Sequence, residues 1–198
     1  MNPYVKISLV LVCFGVFHSL TARPAVRGAV CGRLGIGLLP YTVGRTLVSF
    51  SLLVLSLVAL FRYAPGTPRL FRPIYGLPAL VPTLFAIWIA GSALGQVARS
   101  GRLPQVFGLK DSPKVFFYSG AYSLCRHPMY AGWLIASWGI LLSKPYLLTV
   151  VYNLLMTVFV VYESIREERQ MEALFEDRYR DYRRRVPFLI PLPFRKRQ

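Results

Sequence analysis

Residues 119–132 read SGAYSLCRHPMYAG, and the 30 residues that follow carry one charge, Lys144. An arginine, a histidine and a proline therefore stand at the lip of a long apolar run, with Trp133 just inside it. Ser143, Lys144 and Pro145 break that run into a short stretch, residues 130–142, and a longer one, residues 146–162. Two apolar stretches joined by three residues predict a tight antiparallel helical hairpin.

A membrane-spanning helix takes about 20 mostly apolar residues. Three further stretches upstream meet that measure: residues 4–20, 41–61 and 77–97. Pro78 and Pro82 fall in the first turns of the last of these, where proline costs least. The first stretch has a thin basic start, Lys6, and no good small-residue cleavage site, so it reads as an uncleaved span and not a signal peptide. Residues 64–78, rich in Pro and Gly, read as an outer loop. Residues 100–120 read as an inner loop with room for a short helix. The expectation is an all-α integral membrane protein of about five transmembrane helices in one domain, residues 1–198. Residues 1–99 hold three N-terminal spans, and residues 113–193 hold the hairpin and a polar tail.

Composition agrees. The chain is 55% hydrophobic and only 16% charged, too apolar for a typical soluble domain of 198 residues. Its net charge of +16 comes from 24 basic and 8 acidic residues. Nucleic-acid binding is not expected, because these bases flank apolar segments, where they set membrane orientation. Cys13, Cys31 and Cys125 form no CxxC pair and no zinc spacing, so no metal site is expected. Cys125 adjoins the Arg-His-Pro motif and reads as a small residue beside a site.

Five spans put the chain ends on opposite sides. With the amino terminus outside, the inner segments hold Arg23, Arg27, Arg33, Arg45, Arg99, Arg102, Lys110, Lys114, Arg126 and ten basic residues after Tyr162. The outer segments hold Lys6, Arg62, Arg69, Arg72 and Lys144. A split of 19 to 5 favours a cytoplasmic carboxyl terminus.

Seven of the eight acids follow Tyr162. In that tail Met171, Leu174, Phe175, Tyr179, Tyr182 and Val186 recur at helical spacing, which predicts an amphipathic helix ended by Pro187. Arg183, Arg184 and Arg185 suit anionic membrane lipids. The acids Glu163, Glu167 and Glu168 do not. Carboxylates at a membrane exit usually have a partner or a ligand. Arg126 and His127 are expected at the same depth, so the group could enclose a polar zwitterion or form a structural ion-pair network.

These residues also resemble a family. SGAYSLCRHPMYAG, a hairpin, then EERQMEALFEDRYRDYRRRVPFLIP is similar to the isoprenylcysteine carboxyl methyltransferase and phospholipid methyltransferase superfamily. The shared features are RHPxY, the Glu pair, a Phe seven residues after the second Glu, Y-x-x-Y and a proline-rich end. The resemblance implies a membrane enzyme using S-adenosylmethionine (SAM) in a cytosol-facing pocket. It implies cofactor-binding roles for Tyr122, His127, Pro128, Met129, Tyr130, Glu167 and Glu168, with Arg126 adjoining. One departure stands out: the family often has Gly after its Phe, and here Glu176 follows Phe175. The amino half resembles NnrU-like proteins and methanethiol S-methyltransferases of the same superfamily. His18 is then expected near the pocket, as a substrate contact or as a helix-end histidine.

Methyl transfer from a sulfonium needs mainly positioning and exclusion of water. No firm catalytic base is named; Glu163 is the speculative candidate. The chain has no GxGxG-like loop after a strand, which fits a cofactor site of another type. A non-catalytic accessory role and an NADPH-dependent reductase on the same architecture remain open. The acceptor is open too: a thiol, a lipid or an isoprenoid-like molecule. Reporter fusions after Gln198 and within residues 66–69 are expected to give opposite signals; equal signals would refute five spans.

Overall fold

The structure, a computed structural model, describes residues 2–102 and 115–191. Among the described residues it is all-helical, with no named strand. Helix α1 is Pro3–Thr21, α2 is Pro24–Leu34, α3 is Leu38–Tyr63, α4 is Leu77–Arg99, α5 is Pro128–Ser143 and α6 is Leu147–Arg185. Short 3-10 turns lie at Ala64–Gly66 and Gly120–Ser123. Four helices, α1, α3, α4 and α6, are long and apolar enough to cross a membrane. Helix α5, the expected fourth span, has 16 residues, fewer than the roughly 20 a straight crossing takes. Most of the expected short helix within residues 100–120 lies outside the described residues.

Local chemistry sets the helix ends. The Asn2 side chain accepts from Tyr4 N–H at 2.9 Å and caps α1, with Pro3 in the first turn. Gly35, at φ 62°, ends α2 in the left-handed conformation that glycine adopts freely. Helix α2 was not anticipated from the sequence. It buries no residue, so no apolar face signals it.

The core joins α1, the end of α3 and the start of α6. Ile7, Leu11 and Phe14 of α1 meet Leu60, Ala64, Leu148, Tyr152 and Met156. Helices α4 and α5 pack through small residues. A Cβ on Gly132 would lie 2.9 Å from both the Ala86 carbonyl and the Ala90 methyl. Pro82 sits inside α4, and its ring would be 2.9 Å from a Cβ on Gly139. Close backbone approach of this kind is how helices associate where lipid removes the hydrophobic driving force. Leu9, Val12 and Val16 of α1 and Leu47, Phe50 and Val58 of α3 stay exposed, as lipid-facing side chains do.

The two ends of the bundle differ. At one, the loop after α3 bonds to the α5–α6 turn: Leu70 N–H to Pro145 O at 2.8 Å, Ile74 N–H to Leu142 O at 2.8 Å and Leu147 N–H to Pro68 O at 2.9 Å. At the other end lie the Arg-His-Pro motif, the end of α1 and the acidic half of α6.

The tail is helical, as the sequence pattern predicts, but α6 is two helices joined across a kink, the first carrying the apolar span on into the tail and the second following the kink. The chain changes direction at Glu176, which has φ 44° and ψ −123°. Beyond that kink Tyr179, Tyr182 and Val186 pack with Phe116, Met171 and Phe175. Leu174, expected on the same apolar stripe, is 57% exposed. Leu174 precedes the kink and faces outward on its own helix, while the other five residues of the stripe pack together across the kink.

A non-glycine residue at this φ and ψ carries local strain of order 1–3 kcal/mol. Glycine, the residue that the resemblance leads one to expect after the Phe, carries no such strain. Glu176→Gly is expected to stabilise the protein by about 1 kcal/mol, read as a Tm rise of about 2–4 °C in detergent. An unchanged or lower Tm would show that the backbone at Glu176 is relaxed.

Candidate functional site

The motif preceding α5 is folded onto the rest of the molecule by its glycine and its polar groups. Gly120 has φ 59°, and a Cβ there would lie 2.5 Å from the Gln96 side-chain oxygen. Glycine meets this φ without strain, and a side chain there would have to push the Gln96 amide aside. Gln96 also donates to Ser119 Oγ at 3.1 Å, tying this turn to α4. From the tail, Tyr182 donates its hydroxyl to the Tyr122 carbonyl at 2.6 Å. Arg126 N–H donates to Pro187 O at 2.9 Å.

Glu168 is the hub. Its Oε1 accepts from Arg126 Nε at 2.5 Å and lies 3.4 Å from His127 Nε2. The Arg126 guanidinium also donates to the carbonyls of Val186, at 2.6 Å, and Arg183, at 3.1 Å. Its face covers the Phe188 ring at 5.3 Å. The side chains of Arg126 and Glu168 are only 10% and 8% exposed. Burial pushes the Glu168 carboxyl up, but hydrogen bonds and charge from His127 and Arg126 outweigh it and hold the group below its ordinary value.

In front of this hub lies a cavity of about 270 Å³. Of the eight sequence-expected cofactor residues, seven line it: Tyr122, Arg126, His127, Pro128, Met129, Tyr130 and Glu167. The eighth, Glu168, lies behind the wall and holds two of the others. The adjacent acids are thus split by helix geometry. Glu167 is 39% exposed, with its Oε2 3.7 Å from His127 Nδ1, while Glu168 points inward. Arg126 lines the cavity, yet its guanidinium already bonds Glu168 and two tail carbonyls.

Several cavity residues were not expected: Phe116, Phe117, Met171, Tyr179 and Tyr182. The Y-x-x-Y spacing signalled the tyrosines as a pattern, not as cavity walls. Phe117 stacks on Tyr122, with ring centres 5.5 Å apart. Burial, with the Glu167 charge, pushes the Tyr122 phenol up to about 12, so it stays neutral. Burial raises Tyr179 and Tyr182 as well. Cys125 is fully buried, and burial pushes its thiol up to about 11, which leaves it unreactive.

His18 and Glu163 are not among the residues lining this cavity. His18 Nδ1 lies 3.3 Å from Ser49 Oγ, between the rings of Phe14 and Phe159. Glu163, 4% exposed, accepts from Ser19 Oγ and pairs with Arg166 at 2.9 Å.

Removing one partner of a buried ion pair costs about 3–5 kcal/mol. Glu168→Ala is expected to lose stability on that scale, read by thermal unfolding in detergent. The pH dependence has a definite sign. Because the folded carboxyl is depressed, its stabilisation is whole above the unfolded value, about 4.3, and is lost as pH falls toward the folded one. Glu168→Gln is expected to flatten that acid limb; an unaltered limb would show that Glu168 does not govern it.

Comparison with known proteins places the chain. The sequence pattern of the NnrU protein family matches residues 6–191. Methanethiol S-methyltransferase 2 of Bradyrhizobium diazoefficiens is 29% identical over 204 residues, covering 96% of this chain and 74% of that protein. The protein-S-isoprenylcysteine O-methyltransferase of Mus musculus is 33% identical over 108 residues, covering 54% of this chain and 35% of the enzyme. Methanethiol S-methyltransferase of Crocosphaera subtropica is 32% identical over 83 residues, 40% of this chain and 31% of that protein. The match thus spans about a third of the length of the latter two relatives. No solved structure matches the chain. These matches bear out the superfamily resemblance, and because the family pattern covers nearly the whole sequence, the chain belongs to the NnrU protein family.

Proposed function

We propose that this protein is an integral membrane methyltransferase that uses SAM and acts on a small or lipophilic neutral acceptor. The observation that carries the reading is the cavity wall. It pairs one partly exposed carboxylate, Glu167, with the aromatic faces of Phe116, Phe117, Tyr122, Tyr179 and Tyr182. SAM presents a sulfonium, an ammonium and a purine. A carboxylate and π faces suit the two cations, and aromatic rings suit the purine. The residues present therefore fit the cofactor.

The orientation belongs to the same reading. Helix α5 is the short fourth of five spans, and the cavity and carboxyl terminus face the cytoplasm. The 19-to-5 charge split supports this, as does the separation of the cavity from the loop at residues 67–76.

Bound SAM supplies an electrophilic methyl carbon. This chain's residues do the rest. Glu167 holds positive charge, the tyrosine hydroxyls stay neutral hydrogen-bonding groups, and the tail from Tyr179 to Val186 covers the site and excludes water. The acceptor class follows from what stands one turn before the Glu pair. Prenylcysteine methyltransferases resemble one another in carrying an Arg there, which suits a carboxylate acceptor. Here the place falls to Glu163 or Ser164, both buried. The nearby Arg166 is turned to Ser19 and Glu163. A carboxylate acceptor meets no free cation from these residues, whereas a neutral thiol needs none.

Equilibrium dialysis of protein in lipid nanodiscs tests the cofactor. Wild type is expected to bind SAM and not NADPH. Glu167→Ala is expected to weaken SAM binding about ten- to a hundredfold, the cost of a charge-assisted hydrogen bond. Methyl transfer is expected with an alkanethiol and not with a farnesylcysteine analogue. NADPH binding without SAM binding, or methyl ester formation alone, would refute the reading.

A further inference from the structure

A groove of about 450 Å³ runs between α1 and α6 and shares no lining residue with the cavity described above. Its floor is buried. Leu11 is 5% and Met156 3% exposed, and Phe159 closes on the α1 backbone at Gly15, where a Cβ would lie 3.2 Å from the ring. Its lip is Val12, Val16 and Val158, which stay exposed on the lipid-facing surface.

Polarity along the groove is graded. The lining side chains from Leu11 to Val16 and from Leu155 to Phe159 carry no nitrogen or oxygen. The three that do, Ser19, Arg23 and Tyr162, all stand at the end where α1 gives way to α2. The hydrogen bond from Ser19 to Glu163, the residue after Tyr162, brings the two helices' polar positions to one level. That bond occupies the Ser19 hydroxyl, so Arg23 and Tyr162 are the donors the groove offers. Arg23 is exposed, and among the described residues no carboxylate pairs with it. From Leu11 to Ser19 the helix rises about 12 Å at 1.5 Å per residue, close to the roughly 15 Å of hydrocarbon in one leaflet.

An apolar trough one leaflet deep, with a guanidinium and a phenol at its outer end, has the shape and charge order of a phospholipid. Tyrosine suits the headgroup level, where its ring and hydroxyl meet different surroundings. The charge at this end selects the headgroup. Arg27 follows Arg23 by one helical turn, and from the α6 side Arg166 donates to the Ser19 carbonyl at 2.9 Å. The acid beside them, Glu163, is 4% exposed and already bonded to Ser19 and Arg166. The balance favours an anion. On the orientation proposed above, this is the cytoplasmic leaflet, whose surface is negative.

We propose that the α1–α6 groove is a binding site for one anionic phospholipid, with its phosphate on Arg23 and Tyr162 and one acyl chain in the trough between Val16 and Phe159. The lipid bridges α1 and α6 beside the Ser19–Glu163 bond. The site needs no SAM and stands whatever reaction the cavity performs; only the choice of leaflet rests on the proposed orientation.

Native mass spectrometry of the full chain in detergent tests the site, with dioleoyl phosphatidylglycerol and dioleoyl phosphatidylcholine as probes. The two lipids share their chains and differ in charge. Wild type is expected to hold one phosphatidylglycerol at least about tenfold tighter than phosphatidylcholine, the lower range of a charge-assisted hydrogen bond. Arg23→Gln, at an exposed position, is expected to remove that preference and leave phosphatidylcholine binding unchanged. Val16→Trp, which fills the trough from its lip, is expected to weaken both lipids. Arg184→Gln, in the tail at a side chain 78% exposed, is expected to alter neither. Equal affinity of wild type for the two lipids would overturn the anionic site, as would a preference that survives Arg23→Gln. Loss of the preference in Arg184→Gln would place the lipid on the tail instead. Phosphatidylglycerol binding unaltered by Val16→Trp would overturn the groove, and a doubled protein mass that disappears in that variant would show a second copy of the chain in the lipid's place.

Discussion

A buried carboxylate organises the functional end of this molecule. Glu168 sits on α6 with its charge removed from water, a position tolerable only with close partners. Arg126 and His127 supply them from the loop before α5. Arg126 then has donors to spare in a confined place, and the Val186 and Arg183 carbonyls take them. A single desolvated acid thereby holds the motif and the tail together. The cavity is the space these segments leave between them.

The long α6 helix makes this closure possible and imposes its one backbone cost. A straight helix leaving the bilayer would carry Tyr179 and Tyr182 away from the motif. The turn at Glu176 brings them back, so that Tyr182 reaches the Tyr122 carbonyl and the aromatic cluster forms around Phe116. The strain is local, and the buried contacts beyond it are what hold the residue in that conformation.

The bilayer shapes the rest by what it withholds. Lipid provides no hydrophobic drive for helix association, so α4 and α5 meet through Gly132 and Gly139 at backbone distance. Polar side chains pair across helices instead, as Ser19 does with Glu163 and Trp138 with Thr157. The pair at the end of α1 stands one helical turn before Glu167, the carboxylate in the cavity wall.

Local sequence determined the apolar helices, because a span is a property of its own composition. Residues 4–20, 41–61 and 77–97 each became a helix with ends within three residues of those bounds, and Ser143-Lys144-Pro145 became the hairpin turn. The motif spacing likewise announced a shared site, since seven of its eight residues face one cavity. Other features were illegible for physical reasons. Helix α2 buries nothing and so leaves no periodic trace. Glu167 and Glu168 are identical in type and adjacent in sequence; only their helix faces, one toward the cavity and one toward Arg126, distinguish ligand wall from anchor. The tail pattern foretold a stripe of which Met171, Phe175, Tyr179, Tyr182 and Val186 do pack together; Leu174 stays exposed, and the kink at Glu176 left no trace in the pattern. Glu163 was expected to have a partner or a ligand, but the sequence could not name Ser19, 144 positions away. Sequence by itself determined which segments form long apolar helices and which motif residues gather around one cavity. Tertiary structure alone decided which charges are buried, because burial depends on partners that arrive from distant parts of the chain.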